Sequence, residues 1–407
     1  MQRRTFLKDA ATVALGTAIG DGALAAPPPD RSPRTGSPRQ RLSLDQGWRF
    51  HLGDIEVPGP RVDNETYDYT KAGNAAGAAA TDYDDTLWPL VDVPHDFVIE
   101  QPYVKEENNA QGYRPKDVGW YRRTLRFDPA DRGRHLELQL DGLATTATVW
   151  FNGNVVANIL SGYSSTYIDL TPFALFGDEP NILAIRVDSR ALQGWWYEGG
   201  GLYRHTWLVK RAPVHIVTDG ISAHPRPAGE AWRIPVEATL ENIGEGSADA
   251  RVDAILFDAD DRPLGKATAT VAVPSLARAE ARLSIDIASP RLWSIEQPTL
   301  HRVEVTVSQN GMVTDRESVA VGFRTQRFDA DHGFFLNGQP VKLKGTCNHQ
   351  DHAGLGVALP DSIIEFRLRR LKEMGCNAIR ASHNAQTREL LDAADRLGLL
   401  VMNENRL

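Results

Sequence analysis

Short runs in which apolar and polar residues alternate fill the chain from about Leu42 to Val214, as in His135-Leu-Glu-Leu-Gln-Leu140 and Thr146-Ala-Thr-Val-Trp-Phe151. Alternation at period two predicts strands with one buried face. Asn152-Gly153 stands between Val149-Trp150-Phe151 and Val155-Val156-Ala157, where a tight hairpin turn needs positive φ angles. No helical pattern of ten residues interrupts the stretch, which predicts a β-sandwich of the jelly-roll type. A second block, from about His215 to Gln326, carries strand patterns at Ile234–Leu240, Asp249–Leu256 and His301–Val307. Their spacing predicts an immunoglobulin-like β-sandwich without a cysteine pair. Its charges are scattered along the outward faces, so it reads as a spacer that orients its neighbours.

After Arg327 the period changes. Val341–Gly345 reads as a strand, and Asp361–Gly375 places Ile364, Leu368, Leu371 and Met374 on one helical face that Gly375 ends. Cys376–Ser382 is the next strand, Thr387–Leu397 a helix stopped by Gly398, and Leu399–Asn403 a third strand. This βαβαβ order predicts parallel strands, either opening a (β/α)₈ TIM barrel or forming part of a doubly wound sheet.

Composition narrows the class. At 407 residues, with 42% hydrophobic and 24% charged residues, the chain is long enough for two or three domains and is neither disordered nor a membrane bundle. A net charge of −8 without a Lys/Arg stripe excludes nucleic acid as the expected partner. Arg3-Arg4-Thr5-Phe6-Leu7-Lys8, followed by a small-residue apolar run to Ala26, reads as a twin-arginine signal with a cleavage site near Ala23-Leu24-Ala25. Export to the periplasm or beyond is therefore expected, with no membrane span in the mature chain. Cys347 and Cys376, the two cysteines, are expected to be buried and inert. The segments are thus a signal at 1–26, a Pro/Ser/Arg-rich tether at 27–41, a jelly roll at 42–214, the second sandwich at 215–326 and barrel strands at 327–407.

In a (β/α)₈ barrel, functional groups sit at the C-terminal ends of the strands. Asn348-His349-Gln350-Asp351-His352, Ser382-His383-Asn384 and Asn403-Glu404-Asn405-Arg406 fall at those three positions. Lys344–His352, Met374–His383 and Leu397–Glu404 resemble the opening barrel strands of the family 2 β-galactosidases. Asp84-Asp-Thr-Leu-Trp88, Val93-Pro-His-Asp-Phe97, Gly119-Trp-Tyr-Arg122 and Gly199-Gly-Gly-Leu-Tyr-Arg204 resemble that family's N-terminal sugar-binding jelly roll. The resemblance runs from Leu42 to Leu407. It favours the barrel, of which these would be the first three strands, and implies a retaining glycoside hydrolase acting on terminal β-galactosyl residues.

The resemblance implies that His349 and His383 line the sugar pocket with Asn384 and Glu404, while Arg380, Asp351 and Asn403 support them. A neutral imidazole donates and accepts at once, which suits hydroxyl recognition. Asp351 reads as a group that orients a histidine, and His352 as pocket or structure equally. Two departures stand out, Asn403-Glu404 where the family commonly has Asp-Glu, and Asn384-Ala385 where it has Asn-Pro. The loss of the acid at 403 either weakens a supporting contact or is harmless, if that acid only bonded backbone. The family's catalytic acid/base and nucleophile lie on later strands, so both are expected beyond Leu407, and Glu404 is rejected as the acid. A metal site built from residues after the third strand would likewise be missing, so no bound magnesium and no cofactor are expected. The expected partner is a carbohydrate. β-Glucuronidase, β-mannosidase and a non-catalytic carbohydrate-binding protein remain alternatives, and a homo-oligomer is left open. The pair Trp195-Trp196 reads as core packing ahead of a sugar platform.

Overall fold

The computed structural model describes residues 38–55 and 73–405. The export signal expected at 1–26 lies outside the described residues, as does most of the expected tether. Residues 38–41 do not belong to a tether. Gln40–Ser43 is an edge strand antiparallel to Thr206–Arg211, and Arg39 donates to both carboxylate oxygens of Asp315, at 2.9 and 2.6 Å. The local sequence offers little to bury, but a partner far along the chain makes Arg39 part of the fold.

The first sandwich packs a four-stranded antiparallel sheet against a six-stranded one. Its core runs from Leu44 through Phe97, Tyr121, Leu138 and Phe151 to Leu208. Thr146–Phe151 and Asn154–Ile159 form the expected hairpin, with φ of 50° at Asn152 and 72° at Gly153. His135–Leu140 departs from expectation, because it is buried on both faces. Its polar face meets the second sandwich: Glu137 accepts from the Thr218 hydroxyl at 2.5 Å, and Gln139 donates to Thr218 at 3.1 Å.

The second sandwich is immunoglobulin-like, with two four-stranded sheets. One face of Ala248–Phe257 buries Ala250, Val252, Ala254 and Leu256 against Val303, Val305 and Val307. A small antiparallel sheet, from Gln326 to Pro340, then leads into the barrel segment.

Here the parallel order is Gly345–Asn348, Ala378–Ala381, Leu400–Met402. The first strand starts at Gly345, where the expectation ended it. Lys342, Leu343 and Lys344 are exposed, and the register with the second strand begins where Gly345 faces Ala378. Two helices connect the strands: α1, Asp361–Glu373, and α2, Arg388–Leu397. α1 buries Ile364 and Leu368, while Met374, assigned to the same face, lies past the helix and is 74% exposed. α2 starts on Thr387, whose hydroxyl accepts from the Leu390 amide at 3.2 Å, and ends on left-handed Gly398. Leu368, Ile379, Ala393, Ala394 and Leu399 form the core between helices and sheet. Cys347 is exposed and Cys376 half-buried, correcting the expectation that both are buried. Alternation around Cys347 turns its side chain away from the helix-covered face.

Candidate active site at the strand ends

Parallel pairing aligns the C-terminal ends of the three strands, so the residues that follow each strand share one rim. His349 and His383 face each other there, with ring centroids 5.2 Å apart. Glu404 joins them from the third strand: one oxygen lies 3.0 Å from His383 Nδ1, the other 2.5 Å from Arg380 Nε. Burial acts on Glu404 upward, but the bonds from His383 and Arg380 outweigh it and hold the carboxyl below the usual range. It is an anion committed on both oxygens.

Asn384 is fully buried, and neither of its amide atoms has a hydrogen-bond partner among the described residues. Arg367 of α1 gathers the first loop, donating to the backbone oxygens of His349 at 2.7 Å and Asp351 at 3.0 Å. Asp351 therefore enters through its backbone. The carboxylate that orients a histidine here is Glu404. Asn403 accepts from the Gln386 amide at 3.2 Å, a backbone contact that an uncharged side chain makes as well as an acid would. His352 pairs its backbone amide with the Gly356 oxygen at 2.9 Å and closes a tight loop.

One element comes from the first sandwich. Trp196 sets its ring 4.9 Å from that of His383 and 5.9 Å from that of His349. Its neighbours anchor the junction: Arg204 donates to Gln350 at 3.3 Å and to the Ala385 oxygen at 3.0 Å. Asp96 accepts from the Gly200 and Val357 amides, both at 3.0 Å, and from the Tyr197 hydroxyl at 2.8 Å. Burial pushes Asp96 up despite those bonds. Gly356, at φ 63°, leaves room for this carboxylate, which a Cβ there would strike. The sequence alone favours core packing for Trp196, because nothing local places residue 196 beside residue 383. The adjoining Gly199–Arg204 motif was the available signal.

Comparison with known proteins bears on this arrangement. Residues 90–207 match the galactose-binding domain-like model of glycosyl hydrolase family 2, residues 214–324 the model described as glycosyl hydrolases family 2, and residues 330–407 the TIM barrel domain of the same family. The chain belongs to glycosyl hydrolase family 2. It is 35% identical over 372 residues to a β-galactosidase of Bacteroides ovatus, covering 90% of this chain and 41% of that protein. A putative β-glucuronidase of Formosa agariphila is 30% identical over 375 residues, 91% of this chain and 33% of that one. Among solved structures, a family 2 member from Bacteroides cellulosilyticus superposes with a TM-score of 0.80 at 31% identity, covering 90% of this chain and 47% of that chain. A Bacteroides uniformis β-glucuronidase gives 0.79 at 28% identity, covering 91% and 42%. The chain spans less than half the length of these relatives.

Proposed function

We propose that these residues form the sugar-binding side of the active site of a retaining β-galactosidase. The carrying observation is the facing pair His349 and His383, with Trp196 against both rings. Two imidazoles can donate to and accept from sugar hydroxyls, and an indole offers an apolar face to the ring carbons. Such contacts accelerate the reaction to the extent that they tighten as charge develops at the anomeric carbon.

Retention needs two carboxyl groups about 5–5.5 Å apart, one of them holding a proton for the leaving oxygen. Glu404 does not suit that acid, because Arg380 and His383 keep it ionised. Its role in this reading is to fix His383. The acid/base and the nucleophile come from barrel segments that follow in sequence, as the greater length of the relatives allows. A glucuronide would bring a carboxylate that asks for a cation. Arg380 is already paired with Glu404, which favours the neutral galactoside.

The test is hydrolysis of chromogenic β-D-galactoside, β-D-glucuronide and β-D-mannoside by the 407-residue chain and by a form extended with the downstream coding sequence. The extended form should cleave the galactoside, and His383→Ala should lower its kcat/KM by about 100-fold or more. Preference for the glucuronide would replace the substrate assignment. Turnover by the short chain would return Glu404 to the catalytic role.

A further inference from the structure

At the seam between the two sandwiches, three strands bring ligand atoms to one point. His135 opens His135–Leu140 of the first sandwich, while His215 lies on Val214–Ala223 and Glu241 on Ala231–Asn242 of the second. One ligand atom from each lies within 4.8 Å of the other two. Both imidazoles are buried, with their rings stacked 4.8 Å apart.

The Nδ1 of His215 lies 2.9 Å from the Ala212 carbonyl oxygen, which can only accept, so Nδ1 carries a proton and Nε2 is the ring atom left to take a ligand. That Nε2 is buried, has no hydrogen-bond partner among the described residues, and faces Glu241 Oε2 at 3.5 Å. A buried ring nitrogen that faces a carboxylate oxygen needs a proton or a metal ion between them. Ligands bound tetrahedrally at about 2.0–2.1 Å from zinc stand about 3.4 Å apart, close to this spacing. A shared proton would draw the pair to about 2.8 Å. Arg278 donates to Glu241 Oε1 at 2.8 Å and so leaves Oε2 to face His215.

We propose that His135, His215 and Glu241 bind a divalent ion of the zinc class that staples the first sandwich to the second. Asp169 Oδ1 lies 3.5 Å from His135 Nε2, beside the three converging ligands. Binding through His135 Nε2 moves that ring's proton to Nδ1. The 3.3 Å contact from Arg211 to Nδ1 is then given up, while Arg211 keeps its bond to Glu137. Burial of both rings closes the site to substrate, so its role is structural and independent of the glycosidase reading.

The experiment titrates the chelator-treated full chain with Zn²⁺ and, separately, with Co²⁺. One equivalent should bind, with a rise in Tm of several degrees for zinc and the visible absorption of a four-coordinate ion for cobalt. Glu241→Gln, which keeps the side-chain shape, and His215→Gln should each abolish both signals. His383→Gln and Cys347→Ser, at the barrel rim, should leave them intact. Absence of saturable binding to the unsubstituted chain overturns the proposal, and so does binding that survives Glu241→Gln or follows residue 383 or 347. If His215→Gln fails to fold, the Glu241→Gln titration alone decides.

Discussion

Glu404 owes its charge to two neighbours, Arg380 and His383. Its carboxyl is depressed in the folded chain, so the stability it contributes is present above the ordinary carboxylate range and is lost as pH falls through the folded value. Glu404→Gln removes that contribution while keeping the shape. The melting temperature of the variant should therefore lie below that of the wild type near pH 7, with the gap shrinking toward pH 3. A gap unchanged by pH would show that the charge contributes nothing. Asn403, beside it, explains why a lost charge at the rim is tolerated. Its partner is a backbone amide, which an amide oxygen satisfies as a carboxylate does.

Among the elements, α2 shows how a local signal and a distant contact differ in weight. Thr387 caps its first turn, and Thr387→Ala should cost about 1 kcal/mol by loss of one bond to the Leu390 amide. Gly398 ends the helix at φ 72°, and a Cβ there would also meet the Ile295 carbonyl, in the loop between the second-sandwich strands Ala277–Ile287 and His301–Gln309. Gly398→Ala should therefore cost more, about 2 kcal/mol, adding a clash to the left-handed strain. Urea unfolding of the two variants checks the order. A Thr387→Ala loss equal to or above that of Gly398→Ala would mean that the loop gives way without cost. The same loop is tied to the barrel by Lys372, which donates to the Ile295 and Gly398 oxygens at 2.7 and 2.8 Å.

In the whole molecule the first sandwich and the barrel segment are joined through ionisable groups. His205 Nδ1 lies 2.7 Å from Asp45, and its Nε2 lies 3.1 Å from Asp361 at the start of α1. Burial draws this imidazole downward, but the bonds to Asp361 and Asp45 outweigh it and raise it to about 10. A raised histidine stabilises fully below its unfolded value of about 6.5, and that stability is lost as pH climbs toward 10. The gap in melting temperature between wild type and His205→Gln should be widest at pH 6 and close by pH 10. A gap that persists at pH 10 would mean that the ring packs there rather than pairs.

Both sandwiches, the Asn152-Gly153 hairpin, the two helices and the rim positions of His349, His383 and Glu404 were legible in the chain, because period, turn chemistry and strand ends are local properties. The polar face of His135–Leu140, the fixed place of Arg39 and the approach of Trp196 to the histidines were not. Each depends on a partner from another sandwich or from the barrel. A polar pattern that signals solvent within one element equally suits a buried interface once Thr218 or Asp315 supplies its hydrogen bonds. The sequence by itself determined the elements and the order in which they deliver polar tips. Tertiary structure alone decided which tips meet and which charges are neutralised, since those depend on distances between segments that no local pattern encodes.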